Sequence, residues 1–249
     1  VPARLWSGHL SRSKAHRKEI DMFRKIALAG LLAVGALAAV IASRPSDYRV
    51  ERSTTVDAQP AIVYSQVSDF KAWAAWSPWE ALDPNMQKTY TGQPGQPGSS
   101  YEWKGNKDVG SGRMTVESVQ APSKIEIKLA FIEPWESNCQ TTFSFDAVGN
   151  QTKVTWTMAG HNGFVEKAMT LWMDMDKMVG SDFEKGLRKL SEAAKQEQAK
   201  QDERAKQQVA EAARKAAEAA EAARKAAEAS ATTPDATTPA TTDPAAKKS

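Results

Sequence analysis

One cysteine, Cys139, and three histidines, His9, His16 and His161, make up the whole thiol and imidazole complement of this 249-residue chain. A lone cysteine excludes an intramolecular disulfide and any zinc site built on several cysteines. Cys139 lies in an alternating stretch and reads as a small buried hydrophobe. His9 and His16 precede a long apolar run, which leaves His161 alone in the rest of the chain, so neither a metal centre nor a cofactor is expected. His161 follows Ala159-Gly160, within reach of a cavity mouth but with no base or orienting carboxylate nearby in sequence, and reads as a solvated turn histidine. Asp174, Asp176, Asp182 and Glu184 have helical spacing that does not converge as a calcium loop does, so they are expected on a solvated helix face. Gly92, Gly95 and Gly98 lack the Gly-Lys-Ser/Thr ending and the strand-to-helix context of a phosphate cradle; they mark a mobile loop. Hydrolysis needs a nucleophile with a base, or paired carboxylates in one pocket. No residue is therefore assigned a catalytic role.

The residues that remain suit binding. Trp73, Trp76 and Trp79 recur every three positions and, with Trp103, Trp156 and Trp172, supply bulky apolar surface with an N–H handle. Most of them read as core, and a minority as cavity wall. Met158, Met169, Met173, Met175 and Met178 would make one side of such a cavity adaptable. The residues expected to line it are Phe131, Trp156, Met158, Leu171, Met175 and Val179.

The elements that position these residues follow from composition and period. All four Tyr, seven of the eight Trp and six of the seven Phe fall between Tyr48 and Phe183, so one globular core is confined to the middle of the chain. Residues 1–46 carry eight basic and two acidic groups, residues 47–192 fifteen and nineteen, and residues 193–249 ten and nine. The alkaline balance belongs to the N-terminal segment, and nucleic-acid binding by the domain is not expected. Ile26 to Ala42 is an uncharged apolar run preceded by Arg24 and Lys25, a transmembrane signal anchor or signal peptide assigned to residues 26–43, with a passable cleavage site at Val40-Ile41-Ala42. Residues 1–25 hold seven Lys or Arg, which by the positive-inside rule stay cytoplasmic while the domain emerges on the periplasmic or extracytoplasmic side. Met22-Phe23-Arg24-Lys25 has the shape of a true start, which would make residues 1–21 an over-extension.

Tyr48 to Val56 alternates as a strand; Pro60 sits at a first helical position, and short helices are expected over 61–67 and 71–76. After a loop-rich stretch with one short strand at 88–91 come five alternating runs, Ser99–Lys104, Gly112–Val119, Ser123–Ile132, Ser137–Ala147 and Gln151–Gly160, an antiparallel meander with one buried face. From Gly163 the period becomes helical, with Phe164, Ala168, Leu171, Met175, Val179, Phe183, Leu187 and Leu190 near one face, predicting one long helix over the sheet. Strand, two short helices, strands and a long helix make an α+β fold, a curved antiparallel sheet wrapped around a long C-terminal helix.

Residues 193–229, rich in Ala, Glu, Lys, Gln and Arg, are expected to extend that helix. Glu211 to Ala220 recurs almost unchanged as Glu221 to Ser230. Val209 is its one large apolar residue, too little seam for a stable coiled coil. Residues 230–249, built from Thr-Thr-Pro units and Ala, are expected to be disordered.

Residues 47–192 also resemble the SRPBCC superfamily, in particular its polyketide cyclase/dehydrase and lipid-transport (START-like) branch. The resemblance is carried by Tyr48-Arg49-Val50-Glu51-Arg52-Ser53, Ala58-Gln59-Pro60-Ala61-Ile62-Val63-Tyr64, Asp69-Phe70-Lys71-Ala72-Trp73, Trp76-Ser77-Pro78-Trp79 and Met175 to Glu184. It implies the helix-grip fold, with a deep cavity between sheet and long helix that holds a hydrophobic ligand. The expected function is non-catalytic binding or carriage of a lipid or other hydrophobic small molecule by a monomer tethered to the membrane. A cyclase-like enzyme using His161 or Glu117 for proton transfer is one alternative, and an envelope structural protein acting through its helical tail is another.

Overall fold

The computed structural model describes residues 9–231. Most of the expected disordered tail, and the first eight residues of the basic segment, lie outside them. The chain divides into two units, residues 1–198 and 199–249.

The first unit begins with α1 (His9–Ser43), in which Asp21–Ser43 is long and apolar enough to cross a membrane and only 6% of its apolar window is buried. After Arg44, Pro45 and Ser46 the chain enters β1 (Asp47–Val56), then α2 (Pro60–Ser68) and α3 (Trp73–Trp76). Pro60 opens α2 with its fixed φ where no N–H is needed. Six strands follow: β2 (Gln87–Thr91), β3 (Ser100–Lys104), β4 (Ser111–Gln120), β5 (Lys124–Glu133), β6 (Ser137–Val148) and β7 (Gln151–His161). All seven strands pair antiparallel in the order β1-β7-β6-β5-β4-β3-β2, so the meander is extended by the first strand returning to the last. Register breaks at Ser111/Gly112 and Val116/Ser118 place bulges in β4, where a sheet bends most readily.

Alternation decides the faces as expected. Ile125 and Ile127 of β5, Phe143 and Phe145 of β6, and Val154 and Trp156 of β7 are buried on the concave side. The registers also define two ends of the sheet. Asp47 pairs with His161, Phe131 with Ser137, Ser111 with Glu133 and Gln87 with Lys104 at one end; Val56 pairs with Thr152 and Val148 with Gln151 at the other.

The predicted continuous helix from Gly163 is interrupted. A short α4 (Phe164–Met169) is separated from α5 (Met175–Ala231) by a turn. Asp174 is responsible for the restart, since its Oδ1 accepts the Lys177 N–H at 3.1 Å, an N-cap bond that competes with helical continuation. Phe164 does not join the buried face: α4 buries no residue and touches α1 instead. The grip on the sheet is made by Phe183, Leu187, Leu190 and Ala194 of α5, all at most 2% exposed.

In the second unit every residue from 201 to 228 is exposed. Glu211–Lys215 and Glu221–Lys225, each 2.7 Å apart, form the acid-first ion pairs expected at four-residue spacing, alongside Arg214–Glu218 and Arg224–Glu228.

Candidate functional site

The concave interior is part solid and part hollow. Its solid part is aromatic. Trp156 stacks on Phe183 with ring centroids 3.9 Å apart and planes 8° from parallel, and Phe143 stacks on its other flank at 4.8 Å. Trp73 and Trp76 are pinned from above, their indole N–H groups donating to the Val67 and Gln66 carbonyls at the end of α2 at 2.8 and 2.9 Å. Each edge-to-face or offset ring pair adds ~1 kcal/mol beyond its buried area.

Beyond Trp156 and Phe183, toward the Asp47 end, lies a cavity of about 390 Å³. The α3–β2 connection contributes Trp79, Glu80, Leu82 and Met86, and β3 contributes Tyr101 and Trp103. Met114, Leu129 and Phe131 come from β4 and β5, Thr141 from β6, and Trp156 and Met158 from β7. Met178, Val179, Asp182 and Phe183 of α5 close the far wall. Leu82, Phe131 and Met178, 50%, 36% and 48% exposed, stand at its rim, whereas Tyr101, Met114 and Trp156 are buried at its base.

Of the six predicted lining residues, Phe131, Trp156, Met158 and Val179 come together on this wall. Leu171 does not, because it falls in the turn between α4 and α5 rather than on a continued helix face. Met175 packs against the core from the first turn of α5 without bordering the hollow. Four of the six tryptophans discussed above line the cavity, more than the minority expected; Trp76 is wholly buried and Trp172 is 80% exposed. The walls missed by sequence reasoning include Leu82 and Met86, in the aperiodic stretch before β2, and Tyr101, Met114 and Leu129. The alternation of Tyr101 with Trp103 was the available signal for the β3 wall.

The polar groups of the lining are few. The Glu80 carboxylate pairs with the Lys88 ammonium, and Asp182 Oδ1 accepts a bond from Lys185 Nζ at 2.9 Å. Burial pushes the Tyr101 phenol above its ordinary range, and the neighbouring Glu80 charge adds to the shift. Among the described residues no lysine, arginine or histidine borders the cavity.

The other candidates lie off this wall. His161 is exposed, and its Nδ1 is 3.0 Å from Asp47 Oδ1, so the orienting carboxylate absent from its sequence neighbourhood is supplied by the paired strand. Glu117 is exposed at the β4 bulge. Cys139 is buried, and burial pushes its thiol up to about 11. Asp176 and Glu184 are not merely solvated. Arg52 of β1 donates bidentately to Asp176 at 3.0 and 3.1 Å and through Nε to Glu184 at 3.0 Å, clamping α5 to the sheet edge. That bond holds the Asp176 carboxyl below the usual carboxylate range. Gly180 makes room for the guanidinium, since a Cβ there would lie 2.0 Å from Arg52 Nη2. Among the described residues no group of three or more His, Cys, Asp or Glu is placed to hold a metal ion.

A seven-stranded antiparallel sheet gripping a long C-terminal helix around an apolar hollow is the helix-grip architecture of the SRPBCC superfamily. Residues 47–195 match the family described as polyketide cyclase / dehydrase and lipid transport, and the chain belongs to that family. Among solved structures it is similar to protein CV1439 from Chromobacterium violaceum, at 13% identity and TM-score 0.44, covering 61% of this chain and 98% of that one. It is similar also to protein MLL2253 from Mesorhizobium loti, at 9% identity and TM-score 0.46, covering 60% and 98%. A third is the Zhui aromatase/cyclase from a Streptomyces species, at 14% identity and TM-score 0.44, covering 60% and 94%. No curated protein matches the chain by sequence.

Proposed function

We propose that the domain binds a lipid or another hydrophobic small molecule in the cavity between the sheet and α5, as a monomer and without chemical turnover. It is held at the membrane by α1 as an anchor, with the domain on the extracytoplasmic side. The observation that carries this reading is the hollow itself: about 390 Å³, walled by Trp, Met, Leu, Val and Phe side chains. That is the size and lining small-molecule sites have. Support for the anchor comes from the length and apolarity of Asp21–Ser43 and from the seven basic residues that precede the run.

A cyclase-like reading keeps one observation in its favour, the Glu80 carboxylate and Tyr101 hydroxyl sharing the cavity wall. His161 and Glu117 do not favour it, because neither borders the hollow.

The test is fluorescence titration of the domain, residues 45–198, with N-phenyl-1-naphthylamine, a neutral apolar dye. Saturable binding of one dye per chain is expected, weakened at least tenfold by Val179→Trp, which fills the hollow. Absence of saturable binding, or binding indifferent to that substitution, would sink the reading. Turnover of a poly-ketone chain that is lost in Tyr101→Phe and Glu80→Gln would establish the enzyme instead.

A further inference from the structure

We propose that the Asp47 end of the sheet, which carries the mouth of the cavity, docks on the surface of the bilayer that α1 spans, so that the mouth opens onto lipid. The inference rests on the anchor reading given above.

Its first support is the length of the tether. α1 ends at Ser43 and β1 begins at Asp47, so only Arg44, Pro45 and Ser46 lie between them. At ~3.5 Å per residue this link reaches about 10 Å, close to the thickness of a headgroup layer. The link is also tied down: the Asn162 N–H donates to the Ser46 carbonyl at 2.7 Å, fixing it beside the end of β7. Whatever tilt α1 takes in a membrane, the Asp47 end cannot leave the surface.

The second support is independent of α1. Outside that helix, the exposed large hydrophobic side chains are segregated. Ile132 and Trp135 project from the β5–β6 turn, 54% and 63% exposed; Phe164 and Val165 from α4, 56% and 68%; Trp172 and Met173 from the α4–α5 turn, 80% and 42%. All belong to the Asp47 end, and so do the rim residues of the cavity. Among the described residues, the opposite end offers only Val148 and the second unit only Val209. A face wetted on all sides has no cause to collect its apolar side chains at one end, whereas tryptophans flanked by aliphatic residues are what the headgroup region favours. The same end carries both signs of charge, Lys104, Lys107 and Lys167 beside Asp108, Glu133 and Glu136. Attachment is therefore apolar and needs no anionic lipid.

The test uses the full chain reconstituted in phosphatidylcholine vesicles. Single cysteines are introduced as Trp135→Cys, Trp172→Cys, Val148→Cys and Leu31→Cys, each labelled with a nitrobenzoxadiazole dye. All four positions are exposed, and the native Cys139 is buried, so it stays unlabelled. Phosphatidylcholine spin-labelled near its headgroup should quench positions 135 and 172 at least twofold and leave 148 unchanged, while a deep spin label quenches 31. Quenching at 31 with none at 135 and 172 overturns docking and leaves the anchor standing. No quenching anywhere overturns both. Labels at 135 and 172 that are shielded from aqueous iodide yet untouched by spin-labelled lipid mean that protein covers this face, which also overturns the proposal. Phe164→Cys provides a further position should either tryptophan substitution disturb the fold. Dye binding by residues 45–198 reads the cavity separately, so failure of docking and failure of ligand binding are distinguishable.

Discussion

Trp156 and Gly186 set how near the helix can come to the sheet. A Cβ at position 186 would lie 2.8 Å from the Trp156 ring and 3.2 Å from Pro78 Cδ. Gly186→Ala gains about 1 kcal/mol of helix propensity but forces a buried ring aside, so a net loss of ~1–2 kcal/mol is expected in denaturant unfolding of residues 45–198. A second prediction concerns charge. Among the described residues Glu80, Asp108 and Asp182 border the cavity and no cation does, Lys88 and Lys185 pairing with Glu80 and Asp182 without lining it themselves. The sulfonated analogue of the neutral dye, 1-anilinonaphthalene-8-sulfonate, should bind about tenfold more weakly than N-phenyl-1-naphthylamine, equivalent to ~1.4 kcal/mol of repulsion across a partly wet mouth. Asp182→Asn should narrow that gap, and equal affinities for the two dyes would refute charge selection.

Among the elements, β1 and α5 are joined by the Arg52 clamp, whose acid sensitivity has a definite sign. Asp176 is held below the usual carboxylate range by Arg52. Its contribution is therefore complete above about pH 4, the unfolded value, and is lost as pH falls through the lower folded value. Asp176→Asn should lower stability at pH 7, and the difference from the parent chain should shrink as pH falls below about 4; a difference that widened in acid would contradict the clamp. Nothing near Arg52 in sequence announces this contact, since its partners lie 124 and 132 residues away. Other elements were legible because one period governed them. Ile125-Glu126-Ile127 reveals its buried face directly, and Phe183, Leu187 and Leu190 share one helical stripe that the structure buries. The same stripe misled at Phe164 and Leu171, because a single cap bond at Asp174 restarts the helix and changes its face. Leu82 and Met86 escaped notice for a different reason: a loop has no period, and only the turns of the chain bring them over the sheet.

For the whole molecule, the division at Gln198 separates the hollow from a helix whose residues 201–228 are all exposed. Removing residues 199–249 should leave dye affinity unchanged and the melting temperature within about 2 °C, because exposed ion pairs of this kind each contribute only ~0.3–0.5 kcal/mol. Helical circular dichroism should fall. A loss of dye binding on truncation would instead make the tail part of the working site.

The short link Arg44-Pro45-Ser46 has a consequence for traffic. A domain on so brief a leash cannot ferry cargo across an aqueous gap to a second membrane, as a freely diffusing shuttle does. On the proposed anchoring its exchange is confined to two dimensions: it can lift a molecule out of its own leaflet, shelter it, and hand it to whatever comes alongside.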